Sequence, residues 1–123
     1  METPREIGER FLRRLSESDA EGAAELFVDD PIITRPGKEF SGPEAFQRFR
    51  ASADGRYREV DKEFDRWIAT DTHAVSTGTL CGVDNDGDAF EGVRYVDVFE
   101  VEDGEIVRLD VWNDAVVEGV VDE

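Results

Sequence analysis

The 123-residue chain carries 31 acidic and 14 basic residues, which gives a formal net charge of −17 at pH 7. Phosphate backbones are bound by clustered positive charge, so this balance argues against nucleic-acid binding. A hydrophobic content of 39% and clear periodicities argue against disorder, and the length suits one domain over residues 1–123. Lysine depletion with acids spread along the whole chain predicts the acidic shell of a protein from an extreme halophile, where salt screens self-repulsion.

The compartment is indicated by the lone cysteine and by the N-terminus. Cys81 has no partner for an internal disulfide, which fits a reducing compartment. The N-terminal stretch is charged where a signal peptide needs an apolar segment, and no apolar run approaches membrane-spanning length. We therefore expect a soluble cytoplasmic protein with no membrane partner. A halophilic shell predicts unfolding as salt is removed, whereas the alternative, an acidic mimic of a partner, does not.

Three helices and a short strand are predicted in the first 55 residues. Pro4 suits a first helical turn, and apolar residues then recur at helical spacing. Ser18 and Asp19 offer a cap for the second helix. Proline just inside a Ser-Gly start marks the third. The predicted bounds are a helix at 4–16, a helix from 18–19 to 29–31, a strand at 32–34 ended by 36–37, and a helix from 41–44 to Asp54-Gly55.

The remainder is predicted to form four long antiparallel strands. They cover 57–69, 73–83, 89–101 and 105–116, with a polar hairpin loop at 84–88. That loop superficially resembles a calcium loop, but apolar or glycine residues fall at its ligand positions. Helices followed by antiparallel strands predict an α+β domain.

The register of the last hairpin decides the role of Asp97. A two-residue turn places Asp97 opposite Asp110. A three-residue turn at 102–104 places it opposite Leu109 on an apolar face, and hydrophobic sorting favours this register. The predicted inner face then contains Val93, Tyr95, Asp97, Phe99, Val101, Val107, Leu109, Val111 and Asn113. The outer face keeps Val96, Val98, Ile106 and Trp112, which predicts a homodimer through the outer sheet face.

An ionised carboxylate on the inner face would be costly. Asp97 should therefore be protonated, hydrogen-bonded or directed at a cavity. The simplest alternative is a structural acid bonded to a helix amide or to Asn113.

Three segments carry a family resemblance: FVDDPIITRPG, FSGPEAFQRF and DVFEVEDGEIVRLDVWND. In this order they resemble the nuclear transport factor 2-like superfamily, most closely its SnoaL-like polyketide cyclase and ketosteroid isomerase branch. The resemblance implies a cone-shaped, cystatin-like roll, in which a strongly curved antiparallel sheet wraps around three N-terminal helices. It also implies an apolar pocket and a dimer.

The catalytic residues of the isomerases match this sequence at one position only. Phe11 stands where the resemblance implies a tyrosine, and Arg35 where it implies the base aspartate. Asp97 alone matches. An arginine cannot act as the base, so steroid isomerisation by the family mechanism is not expected. SnoaL-like cyclases rest on a single carboxylate, which implies an acid/base role for Asp97, with Tyr95 or Asn113 orienting a ligand carbonyl.

Other candidates each have a structural alternative. Arg35 is either an anion clamp at the pocket mouth or a partner of surface acids. Phe11 and Trp67 either line the pocket or pack as core. His73 is either a proton shuttle at the rim or a loop residue. No metal cluster, phosphate loop or cofactor is expected.

The sequence thus favours binding of a small apolar carbonyl compound, with acid/base turnover of the cyclase or isomerase type at Asp97. The alternative is a non-catalytic, dimeric ligand-binding or interaction module. An open cavity that reaches Asp97 would support the first, and a cavity filled by Phe11 and Trp67 would support the second.

Overall fold

The computed structural model describes residues 2–53, 55–116 and 118–120. The predicted helix end at Asp54 therefore lies outside the described residues. The elements in chain order are α1 Pro4–Ser16, α2 Ala20–Ala24, β1 Phe27–Arg35, β2 Lys38–Ser41, α3 Ala45–Ala53, β3 Glu59–Ala69, β4 His73–Val83, β5 Ala89–Glu102 and β6 Glu105–Asn113.

Helix α1 begins where its sequence predicts. Thr3 is the N-cap, its hydroxyl accepts from the backbone N–H of Glu6, and the Glu6 carboxylate accepts from the backbone N–H of Thr3. This reciprocal capping box satisfies two donors that a helix start leaves open. Pro4 occupies the first turn, where its missing N–H is not needed.

The second helix is shorter than expected. Asp19 caps it through the N–H of Gly22, but it ends at Ala24 rather than near residues 29–31. Phe27 is already the first residue of β1 and pairs with Ile106 of β6. The chain after the helix is thus extended and joins the sheet, and its apolar side chains are buried there. Pairing with a distant strand overrides the helical spacing of these residues.

The strand predicted at residues 32–34 is half of a hairpin. Strand β1 pairs antiparallel with β2, a strand that the sequence analysis missed. Pro36 and Gly37 form the turn, and Gly37 has φ +80, a conformation that costs a glycine little. The turn signal was correct, but the chain continues from it into a partner strand.

The six strands form one curved open sheet in the order β2-β1-β6-β5-β4-β3. The only parallel pair within it is β1 with β6, and every other neighbouring pair is antiparallel. Helix α1 contacts β3, β4 and β5, while α3 contacts β1 and β2. The predicted α+β roll, with helices against one face of a curved sheet, is therefore confirmed.

The last hairpin combines features of the two registers considered. Glu102 pairs with Glu105, so Asp103 and Gly104 form a two-residue turn, both with positive φ. The register then shifts beside Val101, which pairs with Ile106. Two predictions were wrong as a result. Asp97 pairs with Val111 rather than Leu109, and Ile106 is fully buried rather than on the outer face. The register shift is a β-bulge, and from Leu109 onwards it returns the residues of β6 to the faces predicted for them.

Most of the core lies between the helices and β1, β5 and β6. Four phenylalanine rings pack against one another there at centroid distances of 5.3–5.8 Å, and they are Phe11, Phe27, Phe46 and Phe99. A second, smaller cluster consists of Leu80, Val93, Tyr95 and Ala115. In the described part of the chain, no helix is both long and apolar enough to cross a lipid bilayer.

Candidate functional site

Asp97 lies on the inner face of β5, towards the helices. Buried and less buried residues alternate along this strand, and Asp97 occupies a buried position between Tyr95 and Phe99. It is 2% exposed. Ser76 of β4 and Val111 of β6 are its direct neighbours across the sheet. The expectation that this acid lies on the core side of the sheet is thus confirmed.

The partner of Asp97 is Lys62, which the sequence analysis did not single out. Lys62 Nζ lies 2.5 Å from Asp97 Oδ2 and 4.3 Å from the centroid of the Tyr95 ring. Its side chain is 30% exposed, whereas that of Asp97 is 3% exposed. The ion pair therefore joins a buried carboxylate to a lysine whose side chain is partly exposed. The expected partners, a helix amide or Asn113, were wrong.

Two hydroxyl groups extend this arrangement. Ser76 Oγ and Tyr95 Oη are 2.9 Å apart and share a hydrogen bond. We refer to Lys62, Ser76, Tyr95 and Asp97 as the inner polar cluster. Along β5, Asp97 lies between Phe99, which belongs to the phenylalanine core, and Tyr95, which also belongs to the smaller apolar cluster.

The inner polar cluster leaves one acceptor without a partner. Asp97 Oδ1 is buried and has no hydrogen bond. Burial raises the pKa of Asp97, and the charge and hydrogen bond of Lys62 only partly offset this effect. Burial also raises the pKa of Tyr95, so that phenol is protonated at neutral pH. The site thus presents an ammonium donor beside a carboxyl oxygen that can accept a hydrogen bond or hold a proton.

The cluster is approached over the edge strand β3. By register, Val60 and Phe64 lie on the same face of this strand as Lys62. They are 44% and 55% exposed. Exposed apolar side chains therefore flank Lys62 on both sides along this face of β3. A depression of about 530 Å³ lies along β3, β4 and β5. Its lining includes outer-face residues such as Glu63, Thr77 and Val96, together with Tyr95, but not Asp97.

The aromatic candidates lie beside the cluster rather than in an open pocket. Phe11 is 2% exposed and packs against the other core phenylalanines. Trp67 is half-buried and stacks on Phe99 at 6.2 Å. Side chains fill the space around these two rings, which is the arrangement expected of the non-catalytic alternative. A ligand-binding role for either ring stays a prediction.

Arg35 and Asn113 occupy the ends of their strands. Arg35 Nε donates to Ser52 Oγ of α3 at 3.0 Å, which ties β1 to that helix. Asn113 pairs with Tyr95, and its Oδ1 accepts from the backbone N–H of Ala115 at 3.1 Å. Their proposed contacts with a ligand stay predictions, as does that of Tyr95, although Tyr95 is the one that lies within the inner polar cluster.

The remaining chemical candidates lie elsewhere. His73 is at the start of β4, with Nε2 3.6 Å from Glu100. The loop at 84–88 is a hairpin turn, in which the Asp84 carboxylate accepts from the backbone N–H groups of Asp86 and Asp88. Among the described residues, no group of three or more His, Cys, Asp or Glu side chains could hold a metal ion.

A sequence signal for Lys62 did exist. It is one of two lysines in the chain, and it alternates with Val60 and Phe64 on β3. A charged residue at an apolar position of a strand is the same signal that identified Asp97. The distance between the two could not be read from the sequence, because β4 lies between the strands that carry them.

Comparisons with known proteins concern the fold. A family model for the SnoaL-like domain matches residues 8–109, and no curated protein matches the sequence. An NTF2-like protein of unknown function from Burkholderia pseudomallei has a similar structure, with a TM-score of 0.87 and 17% identity over 100% of both chains. TerC, co-crystallised with polyporic acid, gives 0.84 and 17% identity over 96% of both chains.

A predicted SnoaL-like polyketide cyclase from Jannaschia sp. CCS1 is also similar. Its TM-score is 0.81 at 14% identity, over 98% of this chain and 94% of that one. At such identities, these three structures establish a shared fold, and the expected roll of the nuclear transport factor 2-like type is confirmed.

Proposed function

We propose that this chain, which belongs to the SnoaL-like domain family by its match over residues 8–109, binds a small apolar carbonyl compound at the inner polar cluster. Asp97 is the acid/base group of this site. The observation that carries the proposal is the unpartnered Oδ1 of Asp97, which is buried beside the ammonium group of Lys62. An ionised carboxylate with an unsatisfied oxygen is unfavourable in a core, and a ligand hydrogen would satisfy it.

The surroundings of the cluster suit an apolar ligand. Val60 and Phe64 expose their side chains on either side of Lys62, so a ligand that lies over β3 removes apolar surface from water. A carbonyl oxygen of that ligand would accept from Lys62. Steroid isomerisation is not part of the proposal, because Phe11 has no hydroxyl group and Arg35 cannot act as a base.

A binding titration with two matched substitutions tests the proposal. Acetophenone and polyporic acid are suitable probes, the second because a protein of similar fold was co-crystallised with it. Asp97→Asn keeps the shape of the side chain and removes its charge. The control is Asp103→Asn, an exposed turn residue with φ 50, a conformation that asparagine tolerates.

We expect at least one probe to bind the wild type, as measured by calorimetry and by the fluorescence of Trp67 in a Trp112→Phe background. Asp97→Asn should weaken binding about tenfold, because it removes the charge that holds the Lys62 ammonium group in place to donate to the ligand carbonyl. Asp103→Asn should bind like the wild type. If neither probe binds, or if Asp97→Asn binds as well as the control, the proposal is wrong.

A second candidate function, a dimeric interaction module, is favoured by the outer face of the sheet. Ile68 and Trp112 are 52% and 50% exposed there, and Val75, Val96 and Val98 lie between them in register. A contiguous apolar surface of this kind suits a second copy of the chain packed sheet to sheet. Trp112→Lys should therefore give a monomer in sedimentation experiments, whereas Val116→Lys, an exposed residue beyond the sheet, should not. Monomeric wild-type protein would contradict this candidate.

A further inference from the structure

Lys62 and Asp97 together present a donor and an acceptor side by side. An ammonium group carries three donors. The Asp97 carboxylate takes one of them and the face of the Tyr95 ring lies against the group, so a donor remains towards the exposed side of Lys62. The free acceptor, Asp97 Oδ1, belongs to the same ion pair. A ligand group with one acceptor and one hydroxyl donor would satisfy both.

The charges restrict which ligand group fits. An anion placed beside Lys62 would also lie beside the Asp97 carboxylate, and two negative charges would share one positive charge. One additional proton removes this conflict. A carboxylic acid in its neutral form carries that proton, since its carbonyl oxygen accepts from Lys62 while its hydroxyl donates to Asp97. The proton can then lie on either oxygen without a change in the total charge.

We infer that the ligand is an apolar carboxylic acid, which the inner polar cluster binds together with one proton shared between the ligand and Asp97. This inference rests on the proposed function. A neutral ketone of the same shape satisfies Lys62 but leaves Asp97 Oδ1 without a donor. The site should therefore prefer the acid over the ketone.

Among the described residues, two charged groups of β3 act on the inner polar cluster: Lys62 contacts Asp97, and the charge of Asp65 acts on Tyr95. The direct neighbours of Asp97 across the sheet are Ser76 from β4 and Val111 from β6, and Lys62 from β3 is the charged group in contact with it. Tyr95 lies on the same strand, with a raised pKa. The buried side of α1 carries no charge and consists of Pro4, Ile7, Gly8, Phe11 and Leu12.

Benzoate and acetophenone test this inference, because they differ only by an oxygen in place of a methyl group. Calorimetric titrations at pH 6 and pH 8 in molar KCl would compare them, and the salt suppresses adventitious binding to surface arginines. We expect benzoate to bind about tenfold more tightly than acetophenone at pH 6. Above pH 6, the affinity for benzoate should fall by up to about tenfold per pH unit, with uptake of about one proton on binding. The affinity for acetophenone should not change with pH.

Substitution of the two lysines assigns the effect. Lys62→Met should abolish the preference for benzoate, while Lys38→Met should retain it, since Lys38 is exposed on β2. Asp97→Asn should remove the proton uptake. Equal affinity for the two probes, or a preference that survives Lys62→Met, overturns the inference. If acetophenone alone binds and responds to Asp97→Asn, the proposed function stands without the acid preference. If neither probe binds, the inference fails, and the proposed function then depends on polyporic acid alone.

Discussion

Removal of Lys62 tests the central feature of the structure, a buried carboxylate held by one ammonium group. Lys62→Met keeps an unbranched side chain against the Tyr95 ring and deletes the charge that faces Asp97. Loss of one partner of a fully buried ion pair costs about 3–5 kcal/mol. Because the Lys62 side chain is 30% exposed, solvent screens part of that interaction, and we expect a loss of about 2–3 kcal/mol in the free energy of unfolding at pH 7–8.

The loss should depend on pH with a definite sign. Burial already raises the pKa of Asp97, and Lys62 lowers it, so the substitution raises that pKa further. The native state then retains a proton that the unfolded chain has released, and stability falls as pH increases above the ordinary aspartate value of about 4. Near pH 4 the variant should differ little from the wild type. The slope between these limits is at most about 1.4 kcal/mol per pH unit for a single group.

Urea unfolding at constant molar salt measures this difference, because urea is uncharged and leaves the ionic strength unchanged. Lys38→Met is the control and should stay within about 0.5 kcal/mol of the wild type. The double variant Lys62→Met/Asp97→Asn should recover most of the loss, since no charge is left unpaired. A Lys62→Met variant as stable as the control at pH 8, or with no pH dependence, would refute the reasoning.

Three further expectations concern the fold. Gly78→Ala should destabilise the protein by about 2–4 kcal/mol in urea unfolding, because its Cβ would lie 2.1 Å from the carbonyl oxygen of Glu63. Gly37→Ala, with φ +80 and open space around it, should lose only about 1–2 kcal/mol of unfolding free energy, and equal losses would contradict a steric origin of the Gly78→Ala effect. Thr3→Ala removes the capping box with Glu6 and should lower the free energy of unfolding by about 1 kcal/mol, while no loss would mean that the box does not stabilise α1. Removal of salt should unfold the chain, whose net charge is −17, as followed by circular dichroism, and retained structure in low salt would contradict the halophilic prediction.

The sequence predicted the architecture where local signals agreed with it. Strand β4 has the predicted bounds, and α1 starts and ends where Pro4 and the apolar periodicity indicate. The inner position of Asp97 followed from sorting the apolar residues of the last hairpin onto one face. These features depend on residues that are close in the chain, so a single sequence contains the information for them.

The errors arose where distant segments decide the outcome. The second helix is cut short because Phe27 pairs with Ile106 in β6, and nothing near residue 27 indicates that partner. The hairpin register depended on a choice between two turns, whereas the chain combines a two-residue turn with a bulge. Sorting by hydrophobicity predicted the right face for most of β6 and the wrong one for Ile106. A bulge inserts one residue into the strand, so the alternation of faces before it differs from that after it.

The ion pair shows why the site was only half predicted. Alternation identifies a charged residue on an inner face, but not the charge that meets it, and Lys62 and Asp97 lie on strands separated by β4. Apolar residues in their place would make a comparably stable or more stable core. The energy of the fold therefore does not explain a buried carboxyl oxygen left without a partner beside a partly exposed lysine side chain. A ligand that supplies the missing hydrogen does explain it, which is why the chemistry of the site is sought at Asp97 Oδ1 rather than in the filled core beneath α1.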